Sequence, residues 1–201
     1  MEIAKLAHLY DIEAGKLMQA VLDLGALSTQ RLYNAQTKEK YEAFTAKTIE
    51  TARKYEELLA EGNPTSADYL NLAVLYWQCQ EPGFLVSANL DLDFIKYAGI
   101  RIPEVLDEAE KRFPTCPEIG FWKSYINFYL LGDAFPVEEC KKLLEKPESN
   151  LVPYLYLFSS SQGREYQEQA TKLLADCKVQ PTLKNLYIIS VIESCIKMKD
   201  W

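Results

Sequence analysis

Side chains able to do chemistry are few in this chain. Histidine occurs once, at His8, and cysteine five times, at Cys79, Cys116, Cys140, Cys177 and Cys195. A lone imidazole gives neither a histidine-rich metal site nor a His-based acid/base pair, so His8 is read as an exposed or hydrogen-bonded residue rather than a ligand. The cysteines are odd in number and lack a C-x-x-C pair, which suits reduced, small hydrophobic thiols better than a disulfide framework. A zinc site built from distant cysteines is the alternative that this spacing leaves open. None of the thiols has an evident base beside it in sequence to make it a nucleophile. The carboxylate pairs Asp91/Asp93 and Glu138/Glu139 stand two and one residues apart, spacings that point to different faces of a helix, so they are read as surface acids. Phosphate-cradling glycine loops, the G-x-S-x-G elbow, the H-E-x-x-H pair and the E-x-x-H motif of bundle di-iron sites are missing from the sequence. The chain is therefore expected to be non-catalytic, with no cofactor and no metal.

The whole-chain numbers narrow the partners. With 201 residues, 48% of them hydrophobic and 25% charged, the sequence has the means to bury a core. A net charge of −7 disfavours nucleic acid, because each phosphate contact would work against surplus carboxylates. The longest apolar stretches, 125–131 and 187–192, are far shorter than the roughly 20 residues needed to cross a bilayer, and the first fifteen residues lack a secretory pattern. No membrane association and a cytoplasmic location are expected.

These residues are carried by segments of helical period, separated by glycine and proline. Residues 3–24 place Ile3, Leu6, Ala7, Tyr10, Ala14, Leu17, Val21 and Leu24 at three- and four-residue spacings, with room for a break over 11–15. From 30 to 61 no proline or glycine interrupts the chain, which predicts one long helix or two nearly collinear ones ending at Gly62-Asn63-Pro64. Shorter helices are predicted over 66–80, 90–97, 103–113, 117–131, 137–146, 150–160, 164–177 and 183–199. Strand alternation is nowhere sustained, so the fold class is all-α.

The segment Ala67-Asp68-Tyr69-Leu70-Asn71-Leu72-Ala73-Val74-Leu75-Tyr76-Trp77-Gln78 resembles the first helix of a tetratricopeptide repeat, with Asn71-Leu72-Ala73 as its asparagine-leucine-small triplet and Tyr76-Trp77 as its aromatic pair. Residues 56–64 and 105–114 resemble second helices that end in proline, and 150–177 resembles a further hairpin with Ala170 at its small position. The resemblance covers about residues 40–199, with irregular repeats. It implies a right-handed α-α superhelix over 40–201, packed as one continuous domain, preceded by a helical segment over 1–39 that serves as a cap or a dimerisation element.

In that family the first helices of successive hairpins line a concave groove that holds a peptide or a partner helix. Carried over, this implies Leu70, Val74, Trp77 and Gln78 as groove residues, followed by Trp122, Ile126 and Tyr129, with packing between helices as the competing role for each aromatic. Chaperone-type gripping of a C-terminal carboxylate is disfavoured, since Leu70 and Val74 stand where charged or amide groups are wanted and only Asn71 fits. Residues 65–147 hold 13 acids against 8 bases, which suits a basic or amphipathic partner helix. The expected function is a protein-protein interaction module acting as a chaperone, adaptor or immunity-type inhibitor. Its alternative is a self-associating scaffold, a homodimer formed through the N-terminal helices. In the groove reading, replacing Trp77 and Trp122 by alanine weakens binding and leaves helical content intact.

Overall fold

The computed structural model describes residues 35–81, 84, 90–144 and 150–199; the expected 3–24 stripe, His8 and nearly all of the 1–39 segment lie outside the described residues. Among the described residues are eight helices and no strand: α1 Ala35–Glu61, α2 Ser66–Gln78, α3 Leu92–Arg112, α4 Pro117–Leu131, α5 Val137–Lys142, α6 Tyr154–Ser160, α7 Gln167–Val179 and α8 Leu183–Lys199. The all-α class is thus as expected. No described helix is long and apolar enough to cross a membrane.

Local chemistry sets several of these bounds. At the start of α2 the Asp68 carboxylate reaches back to Thr65, accepting from its backbone N–H at 2.8 Å and from its hydroxyl at 2.7 Å. Asp91 caps α3 by accepting from the Phe94 N–H at 2.8 Å. Pro117 opens α4 at a position where a missing N–H costs nothing, and Gly132, with φ 72°, closes it in the left-handed region. Near α6 the chain turns until Tyr154, because the Asn150 side chain takes the Val152 N–H and Pro153 has none to give. The separate helices predicted over 90–97 and 103–113 are one helix, α3, that runs through Pro103. Proline there removes a single ladder bond, the one to the Gly99 carbonyl, and the helix continues on both sides.

The chain divides into two compact units. Unit 1 comprises residues 1–62 and 76–102, and unit 2 comprises 63–75 and 103–201. In unit 1, α1 buries only a thin stripe of Thr48, Ala52 and Leu59. A polar hub supplements that stripe. The Glu56 carboxylate accepts from the Tyr76 hydroxyl at 2.9 Å, the Tyr97 hydroxyl at 3.2 Å and Arg101 through Nε at 3.0 Å and Nη2 at 3.1 Å. Burial, and after it the Glu56 charge, pushes the Tyr76 phenol well up.

In unit 2 the core is aromatic and aliphatic, with Phe121, Trp122, Tyr125, Ile126, Phe158 and Ile188 essentially inaccessible. Helices α6, α7 and α8 each touch the other two. Lys123 on α4 bridges Asp107 and Glu110 on α3, at 2.8 Å to each. The Asn71 carbonyl oxygen, buried on α2, accepts from the Lys184 backbone N–H on α8 at 2.9 Å, across 113 residues of sequence.

Two glycines test how tightly the turns are built. A Cβ on Gly163, at φ 75°, would lie 3.2 Å from the Cys195 carbonyl oxygen, whereas one on Gly132 would meet nothing within 4 Å. Gly132→Ala then carries only the left-handed backbone cost, about 1 kcal/mol, while Gly163→Ala adds a clash with backbone and should cost about 2 kcal/mol or more. Urea unfolding of the two variants measures the difference.

Candidate interaction surface

Of the seven residues that the family resemblance assigns to a groove, five are inside the protein. Leu70, Val74, Trp77, Trp122 and Ile126 are 0–1% exposed, packed among other side chains. Gln78 is half-buried and Tyr129 is 49% exposed. Asn71 is occupied as well, its oxygen taken by the Lys184 N–H. The reason is visible in α4, a helix apolar nearly all the way round, which such sequences adopt when buried on most sides.

Tyr129 differs from the rest by its place on the helix. Trp122, Tyr125 and Tyr129 stand at i, i+3 and i+7, on one face. Trp122 packs edge-on to Tyr125 at 5.6 Å and to Tyr187 at 6.1 Å, and the Tyr125 and Tyr187 hydroxyls share a hydrogen bond of 3.0 Å. Burial holds the Tyr125 phenol far above its ordinary value, so it stays a neutral member of this cluster. The same face then runs past the packed region, and the last turn of α4 comes to the surface with Tyr129, Leu130 at 37% and Leu131 at 70% exposure. Tyr129 is nevertheless held, edge-on to Tyr125 at 4.9 Å and to Phe128 at 5.0 Å. Single exposed apolar residues are normal on any surface. Tyr129, at the end of the packed face, is an exposed ring that already makes two ring contacts before any binding. Exposed Asp133 follows directly.

At the other end of α4, Glu118 accepts from Trp122 Nε1 at 3.2 Å and from the Lys184 ammonium. Both charged side chains are largely withdrawn from water, Lys184 to 10% exposure and Glu118 to 23%. This pair ties α4 to α8.

A cavity of about 300 Å³ beside this lock is lined in part by Cys116, Glu118, Asp176 and Cys177. Among the described residues no three histidine, cysteine or acidic side chains converge to hold a metal ion. Four cysteines are buried as small hydrophobes, and Cys116, at the N-terminus of α4, is half-buried, a departure from the uniform burial expected. Burial pushes the Cys79 and Cys140 thiols up to about 12, that of Cys177 up to about 11, and that of Cys195 upward as well. A thiol raised in the folded state remains protonated while its unfolded counterpart ionises. These thiols therefore contribute stability that is intact below about pH 9 and is lost as pH rises from there through 11 to 12. A thiol-selective disulfide reagent at pH 8 should modify Cys116 in the native protein and the other four only after unfolding, a result read by counting labelled cysteines with peptide mass spectrometry.

No protein-family model, curated protein or solved structure matches the sequence.

Proposed function

We propose that this protein is a non-catalytic interaction module that binds a peptide segment or an amphipathic helix of another protein, and that the anchor is the exposed last turn of α4 rather than a groove of buried aromatics. The observation that carries the reading is Tyr129, half-exposed yet fixed between Tyr125 and Phe128, with Leu131 beside it open to solvent. Rigid aromatic anchors lose little conformational freedom on binding, and an anchor of this kind contributes about 2 kcal/mol when fully desolvated. The scaffold in this proposal is a tetratricopeptide-like right-handed array of hairpins. It is supported by the burial of Leu72, Ala73 and Tyr76, the residues through which that repeat packs its helices. Within unit 2 the array is closed by the Asn71–Lys184 hydrogen bond between α2 and α8.

The test is capture of a partner at fixed stoichiometry by the intact protein, repeated with Tyr129→Ser/Leu131→Ser and with Val179→Ser, which removes an equally exposed apolar side chain elsewhere in unit 2. The double variant should bind at least tenfold more weakly with unchanged helical content, and Val179→Ser should bind normally. A partner retained equally by all three proteins would overturn the reading.

A further inference from the structure

The end of α4 is negative as well as apolar. The last four carbonyls of a helix have no intrahelical donor and together carry about half a negative charge. The last turn of α4 holds no basic side chain to answer it. Asp133, exposed, adds a full charge one residue past the Gly132 cap. Residues 124–140 contain Asp133, Glu138 and Glu139 and no base at all. The lysines on either side of that stretch are engaged, Lys123 by Asp107 and Glu110 at 2.8 Å to each and Lys141 by Glu138 at 2.7 Å.

The Tyr129 ring gives a cation a further attraction, since an aromatic face draws a guanidinium or an ammonium, arginine more often than lysine. Tyr125 and Phe128 meet that ring at steep angles, 64° and 79°, and about half of the residue stays open to solvent. We propose that the partner segment of this surface carries an arginine beside an apolar side chain, the apolar group seated on Tyr129 and Leu131 and the guanidinium held by Asp133 and the carbonyls that end α4. Arginine fits better than lysine because its planar group both forks onto a carboxylate and stacks on a ring. This inference rests on the reading above, that the last turn of α4 contacts another protein, and it names the chemistry that the partner brings.

The probe is a display library of random peptides of about 16 residues, some four helical turns, selected on the intact protein. Selected peptides are then synthesised and titrated by fluorescence anisotropy against the wild type, Tyr129→Ser/Leu131→Ser and Asp133→Lys. Those that lose at least tenfold in affinity for the Tyr129→Ser/Leu131→Ser protein should carry an arginine close to an aliphatic or aromatic residue. Replacing that arginine by glutamine should weaken binding about fivefold, and Asp133→Lys should weaken it about tenfold, by setting like charges against each other. Both losses should shrink as salt is raised. Asp133 lies on the surface beyond the helix end, so its substitution should leave helical content unchanged. Peptides that depend on Tyr129 and Leu131 but show no excess of arginine, or that bind Asp133→Lys as tightly as the wild type, overturn this inference and leave the interaction reading standing. Selected peptides that bind the Tyr129→Ser/Leu131→Ser protein undiminished, or a library that yields none, overturn both.

Discussion

Trp122→Ala should destabilise unit 2 by about 3–5 kcal/mol, the range for deleting a large buried aromatic side chain and leaving a cavity behind. Trp122 is 0% exposed, lies against Phe121, Tyr125 and Tyr187, and donates its indole N–H to Glu118. In a unit of roughly a hundred residues such a loss lowers the melting temperature by on the order of 15 °C or more. Near-UV circular dichroism and urea unfolding read it directly. This reverses the outcome expected of a groove residue, for which binding falls and the fold persists. Tyr129→Ser, at the exposed end of the same face, should cost less than about 1 kcal/mol of stability. A Trp122→Ala protein as stable as the wild type would show that this ring is not core.

Glu118→Ala should cost nearly as much by a different route. It leaves the Lys184 side chain, only 10% exposed, without its counter-charge, and Trp122 Nε1 without its acceptor. Removing one partner of a buried pair typically costs 3–5 kcal/mol, most of it the penalty of stranding the other charge, so about 3 kcal/mol is expected here. Glu118→Met/Lys184→Met removes both charges and should recover most of that loss. The double-mutant cycle from urea midpoints isolates the coupling. A cost below about 1 kcal/mol for Glu118→Ala would mean that the pair is hydrated and the lock is weak.

Where the sequence writes an end in proline or glycine, its helices are readable. Pro117 and Gly132 bracket α4, and the predicted 117–131 and 183–199 agree with the structure to the residue. Pro103 misleads for the same reason, since a proline suited to a first turn also sits within α3 at the cost of one hydrogen bond. The candidate site was only partly legible. Helical spacing places Trp122, Ile126 and Tyr129 close together around the axis, but periodicity cannot say which side of an all-apolar helix meets solvent. One signal did mark Tyr129, because Gly132 ends the helix three residues later, and the last turn of a helix is where a packed face outruns its neighbours. Leu130 and Leu131 carry the same signal and were not singled out. The Glu118–Lys184 lock, 66 residues apart in sequence, has no local signature at all.

The hydrogen bond from the Lys184 backbone to Asn71 has a consequence during biosynthesis. Unit 2 begins with residues 63–75, is interrupted by residues of unit 1, and resumes at 103. At about 5–20 residues per second, roughly 6–23 s separate emergence of Asn71 from the ribosome and emergence of Lys184. During that interval the Asn71 side chain is without the Lys184 N–H from which it accepts in the folded unit. Native contacts of such high order postpone completion of unit 2 until α8 has emerged. Chains cut short before α8 should accordingly be the aggregating species of this protein, while chains that include α8 complete unit 2 in a late, concerted step.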